Sequence, residues 1–240
     1  MEKLIYAWWG GARSGEAVRR HFLSELQPRL VELGVERLQF NVADLDLTGA
    51  VEHMRLATGP NPKPGGIVSF WLTSAYRRAP VEALLAQAFE RIAGYVVTES
   101  TILPNIEHPG KPGERTWGFS QVSFLKVAAR LSFDEWRRDW FERHTKVGIE
   151  TQANFRYIQN VVVMALTRDA PAWRGIVEEC FPIEAMRDLH VFYDAVGDEP
   201  KFERNLAVMM ESCGRFLDAD GVDVVATSEY ILHPHAEPTL

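Results

Sequence analysis

Strands that are apolar at nearly every position constrain this chain most. The runs "LIYAWW" at 4–9 and "YIQNVVVMAL" at 157–166 lack the alternation of a sheet with one wet face. Each sheet must therefore be covered on both sides. The order of elements says how. The segment "NIEHPGKPGERTWG" at 105–118 concentrates Pro, Gly and charge, and divides the chain almost evenly as an exposed linker would. Before it, periodicity predicts strand 3–9, helix 15–33 closed by Gly34, strand 36–43, strand 67–73, helix 81–92 and strand 95–103. After it come strand 122–130, helix 133–151, strands 156–166 and 174–180, a short helix 183–192, helix 201–216 and strand 222–232.

Both halves thus read β-α-β-β-α-β, the order of a ferredoxin-like unit with two helices on one face of a four-stranded antiparallel sheet. The predicted fold class is α+β: two tandem ferredoxin-like domains, 1–112 and 118–240, packed sheet to sheet as an internal barrel. Its lumen, lined by the helix-free faces, can hold an apolar ligand. Two short matches support a duplication: "TESTILP" at 98–104 with "SEYILHP" at 228–234, aligning Glu99 with Glu229, and "GGIVSF" at 65–70 with "RGIVEE" at 174–179.

The 240 residues carry a formal charge of −7, and no Lys/Arg block stands out, which argues against nucleic-acid and membrane-surface partners. Cys180 and Cys213 lack metal-ligand or C-x-x-C spacing, fitting a reducing cytoplasm, where the chain is expected to reside. The seven histidines show no ligand spacing, so no metal is expected, and neither "GPNPKPGG" nor "WWGGARSG" completes a nucleotide fingerprint. The Pro/Gly-rich stretch at 58–66 is expected to be a mobile loop at a barrel opening.

The best-marked element is "SFDEWRRDWFERHTKVG" at 132–148. Ser132 and Glu135 form an S-x-x-E capping box, with Leu131 and Trp136 as its hydrophobic staple. Phe133, Trp136, Trp140, His144 and Val147 then share one stripe, and charged residues fill the rest of the circle. His144 therefore points inward. It can exchange a proton near neutral pH, or serve as a packed structural histidine.

The residues from about 119 to 232 resemble an EthD-type domain of the dimeric α+β barrel superfamily. The resemblance is carried by this helix with its W-x-x-x-H motif, by "FRYIQN" at 155–160, "WRGIVEECFP" at 173–182, "FERNLAVMMESCGRFLD" at 202–218 and "TSEYIL" at 227–232. The first half departs from the motif, since Val18, Phe22 and Leu26 stand where Trp136, Trp140 and His144 do. The resemblance implies a barrel that binds small, often aromatic or polyketide-like molecules.

The expected function is an enzyme that needs no cofactor and performs proton transfer (cyclisation, dehydration, decarboxylation or isomerisation) on a hydrophobic small molecule. His144 and Glu229 are the expected catalytic pair, Glu229 orienting His144 or acting as a base itself. Glu229 and Glu99 each have the alternative of a salt bridge, because a buried carboxylate must be paired or protonated. Trp140, Tyr157, Asn160, Glu99, Trp9 and Trp71 are the expected substrate-binding residues, although aromatics pack cores equally well. Two other functions compete. One is a haem protein using His144, as other tandem barrels do with one helix histidine; the other is a non-catalytic carrier of a degradative pathway. A homodimer through the outer helices is compatible with all three.

Overall fold

The computed structural model describes residues 1–10, 15–46, 49–51 and 62–232. Eight strands run in the expected order: β1 (Glu2–Trp9), β2 (Glu36–Val42), β3 (Gly66–Leu72), β4 (Arg91–Leu103), β5 (Phe119–Leu125), β6 (Arg156–Ala165), β7 (Gly175–Phe181) and β8 (Val222–Ile231). Every pairing is antiparallel, and the strands close in the order β1-β3-β2-β8-β5-β7-β6-β4, with β4 returning to β1. The barrel is thus one hydrogen-bonded ring rather than two separate stacked sheets. Its seams are β2 with β8, where Phe40 faces Tyr230, and β4 with β6, where Glu99 faces Asn160.

Period-two alternation assigns each strand residue to the lumen or to the helix layer. In β1, Leu4, Tyr6 and Trp8 join the cluster packed against the N-terminal helices, while Ile5, Ala7 and Trp9 join the lumen cluster. An eight-stranded barrel is just wide enough for side chains to fill, and here they do. At one end Trp173 stacks on Phe124 at 4.1 Å and on Trp9 at 6.2 Å. The other end holds a buried ion cluster. Lys3 donates to Glu99 (2.6 Å), Asn160 (2.9 Å) and Glu178 (3.1 Å), and Arg156 pairs with Glu229 at 2.7 Å. Among the described residues, the lumen expected to hold an apolar ligand is therefore filled largely by the protein's own side chains, with a recess of about 230 Å³ at the polar mouth.

The N-terminal half is covered by α1 (Gly15–His21), a π turn (Phe22–Leu26), α2 (Gln27–Glu32) and α3 (Ala79–Ala88). The C-terminal half is covered by α4 (Phe133–Asp139), a π turn (Trp140–His144), α5 (Thr145–Thr151), the short α6 (Leu189–Phe192) and α7 (Glu199–Phe216). The helix predicted to reach 92 stops at Ala88. Phe89 is already extended, and pairing of Arg91 with Trp9 draws the next residues into β4. β5 begins at Phe119, earlier than expected, because Phe119 pairs with Phe181.

In the stretch at 58–66, residues 58–61 lie outside the described residues. The remainder is fastened rather than loose: the Pro62 carbonyl accepts from Trp9 Nε1 at 2.7 Å, and Lys63 Nζ donates to the Val224 carbonyl at 2.9 Å. Among the described residues no helix is long and apolar enough to cross a membrane.

Candidate active site

The two helix layers differ in how they fill. Over the N-terminal half, Phe22 stacks on Phe40 at 3.8 Å and Trp8 stacks on Phe40 and Phe89, leaving solid core. Over the C-terminal half, a cavity of about 460 Å³ opens between α4–α5, α7 and the outward face of β5, β6 and β7. The difference follows from the residues: Leu26 ends its π turn where His144 ends the other, and the lower layer here is built from Gln121, Tyr157 and Glu179 as well as apolar groups.

The capping box starts α4 as expected, with Ser132 Oγ accepting from the Glu135 N–H at 3.3 Å and Glu135 Oε2 accepting from the Ser132 N–H at 2.9 Å. The following π turn loosens the helix ladder, a local feature often found at functional sites. Thr145 Oγ1 donates to the Trp140 carbonyl at 2.9 Å and accepts from Gln159 Nε2 at 2.8 Å, which also reaches the Tyr157 hydroxyl at 2.8 Å. Trp140 is fully buried over Gly175, where a Cβ would lie 2.8 Å from the indole.

His144 lines this cavity. Its Nδ1 lies 3.0 Å from Ser212 Oγ on α7, and its ring packs on Phe216 at 4.6 Å. Burial, reinforced by nearby Arg215, pulls the imidazole down to about 4, so it is neutral at physiological pH. Glu229, its expected partner, is elsewhere. It faces the lumen, on the opposite side of the sheet, and is held by Arg156 and by Thr116 Oγ1 at 3.0 Å. The His144–Glu229 pair expected from sequence is therefore not formed, because alternation along β8 turns Glu229 away from the helices.

The other expected residues divide the same way. Trp140 and Tyr157 line the cavity with His144. Asn160 and Glu99 belong to the lumen ion cluster, and Trp71 lies at its mouth beneath the Arg37 guanidinium at 4.9 Å. Trp9 closes the opposite, apolar end. Trp9 and Asn160 are engaged in packing and hydrogen bonds, Glu99 and Trp71 line the recess at the polar mouth, and both Glu99 and Glu229 form salt bridges.

The residue that sequence reading missed is Glu179. It lines the cavity and is 8% exposed, with Asn154 Nδ2 donating to one oxygen at 3.1 Å and Gln121 Nε2 near the other at 3.5 Å. Among the described residues no Lys or Arg pairs with it. Burial, only partly offset by the two amides, pushes its carboxyl up to about 7. The signal was available in "GIVEECF": two adjacent carboxylates in an apolar strand must point to opposite faces, and only one can reach the lumen cations.

The site's chemistry is that of an apolar chamber with a carboxyl poised to gain or lose a proton near neutrality and a neutral imidazole on the facing helix. Among the described residues no cluster of three or more His, Cys, Asp or Glu could hold a metal. Haem fits poorly. Among the described residues no Lys or Arg lines the cavity to meet its two propionates, while Glu179 and Asp218 would oppose them.

No family model and no curated protein matches the chain. Among solved structures, an anthrone oxidase-like protein superposes with a TM-score of 0.54 at 7% identity, covering 96% of this chain and 93% of that one. A candidate monooxygenase from Lactobacillus acidophilus gives 0.47 at 9% identity, covering 98% and 97%, and a candidate chlorite dismutase gives 0.45 at 10% identity, covering 95% of each. At 7% identity the first likeness shows fold alone, an α+β barrel.

Proposed function

We propose that the protein is an enzyme of proton-transfer chemistry acting on a hydrophobic, ring-bearing small molecule held in the cavity beneath α4–α5 and α7. The observation that carries this reading is Glu179, a buried carboxyl that no described Lys or Arg pairs with, in the wall of an apolar chamber of about 460 Å³. A general acid or base works best when its proton affinity matches the working pH, and Glu179 meets that condition where His144 does not. Glu179 takes the proton and later returns it, Asn154 and Gln121 orient its two oxygens, and neutral His144, held through Ser212, gives the ligand a polar contact on the opposite wall. Ring closure, dehydration, decarboxylation and isomerisation all use such a step.

The same proposal includes an EthD-like C-terminal domain at 118–240 and a divergent ferredoxin-like repeat at 1–112. It is supported by the π turns that interrupt the first helix of each half, placing Phe22 and Leu26 where Trp140 and His144 stand. The experiment begins with the ligand: small molecules carried through purification are released by denaturation and identified by mass spectrometry. At saturating compound, Glu179→Gln should then turn it over about 10²–10⁴ more slowly. Wild-type turnover by that variant would overturn the reading. A carrier protein would bind its ligand and release it unchanged.

A further inference from the structure

We infer that the ligand carries a basic amine, recognised by Glu179 inside a ring of aromatic side chains. This deepens the proposed function and rests on the same cavity. The carboxylates of the lumen ion cluster, Glu178 and Glu229 buried and Glu99 half-buried, provide the contrast. Glu99 and Glu178 meet Lys3, and Glu178 and Glu229 meet Arg156, so each lumen carboxylate has a cation supplied by the chain. Glu179 alone among these four has only amide partners. A second acceptor points the same way: Gln121 is 7% exposed and lines the cavity, and its Oε1 is buried without a hydrogen-bond partner. Asp218, the other acid in the lining, is already paired with Arg130. On the sheet wall, opposite His144, the polar atoms left to meet a ligand are therefore acceptors, and what answers them must bring donors.

The walls select among donors. Trp140, Tyr157, Phe192, Tyr193 and Phe216 line the chamber, and no Lys or Arg does among the described residues. Aromatic faces attract organic cations, most strongly when water is excluded, whereas an anionic ligand would meet Glu179 with nothing to offset it. An ammonium bound here donates to a Glu179 oxygen and to Gln121 Oε1. Proton transfer within that pair breaks one N–H bond and forms one O–H bond, leaving the electron pair on nitrogen. Both formal charges vanish, which a low-dielectric chamber favours, and the amine is left neutral and nucleophilic.

Isothermal titration of the full-length protein with naphthylmethylamine, naphthylmethanol and naphthoate tests this with one ring and three polar groups. The amine is expected to bind at least about tenfold more tightly than the alcohol, and naphthoate more weakly than either. Glu179→Gln should bring the amine to the level of the alcohol while leaving the alcohol unchanged. Equal binding of alcohol and amine by the wild-type protein, lost on filling the chamber with Cys213→Trp, would overturn the amine inference and leave the cavity reading standing. Failure of all three probes to bind, or binding that survives Cys213→Trp, would overturn both.

Discussion

Glu178 and Glu179 are neighbours in β7, yet they titrate at opposite ends of the carboxylate range. Burial alone would push both up. Lys3 and Arg156, with Gln39 and Asn160, instead hold Glu178 down to about 2, whereas Glu179, turned to the helices and given only amides, rises to about 7. One residue of strand register separates a structural ion from a proton-exchanging group.

That separation makes stability depend on pH through Glu179. The unfolded chain releases this proton near 4.5 and the folded chain near 7, so between these values the native state holds a proton that the unfolded state lacks. Stability should fall as pH rises across that interval, by up to about 3 kcal/mol, and level off above it. Glu179→Gln should remove this slope and be more stable than wild type in mild alkali. Urea titrations across the pH range measure both.

His144 works in the other direction. Its imidazole accepts a proton near 6.5 when unfolded and only near 4 when folded, so its contribution is complete above 6.5 and lost as pH falls toward 4. Thermal melts of His144→Gln should show a flatter acid limb. His144→Ala should melt several degrees lower at neutral pH, since it also empties the space against Phe216 and leaves Ser212 without its ring partner.

The lumen cluster should be intolerant of partial removal. Arg156→Met leaves Glu229 and part of Glu178 facing each other without their shared cation, and breaking such a buried pair costs about 3–5 kcal/mol. The triple variant Arg156→Met, Glu178→Gln, Glu229→Gln should recover part of that loss. Chemical denaturation of the two proteins side by side checks the order.

Gly175 sets the floor beneath Trp140. A methyl group there would meet the Trp140 indole at 2.8 Å and that of Trp136 at 3.1 Å, so Gly175→Ala should cost about 1–3 kcal/mol and displace a cavity wall. Weaker probe binding together with a lower melting temperature is the expected result. Unchanged binding would show that Trp140 does not shape the ligand.

Much of this was legible in the sequence because it is local. The capping box at Ser132, the inward stripe ending at His144 and the doubled element order all depend on neighbours within a few residues. The expected pairing of His144 with Glu229 failed because it required knowing which face of β8 each residue occupies and what already fills the lumen. Two such facts emerge only when distant strands meet: Lys3 from the first strand supplies a cation to the seventh, and Trp173 from a loop plugs the barrel end. Glu179 was hidden for the complementary reason. The doublet Glu178–Glu179 in an apolar strand shows that one carboxylate must face the helices, but which one goes without a cation is decided by Lys3 and Arg156 arriving from other strands.

The seam between β2 and β8 also sets a timetable. Phe40 finds Tyr230, and Gln39 finds Ile231, only once the eighth strand exists. During synthesis, β2 waits with one edge unpaired, an invitation to pairing with another nascent chain. Contacts this remote in sequence also form slowly. Without β8 the ring would stay open at two edges, β2 and β5, so closure of the whole barrel hangs on that one strand.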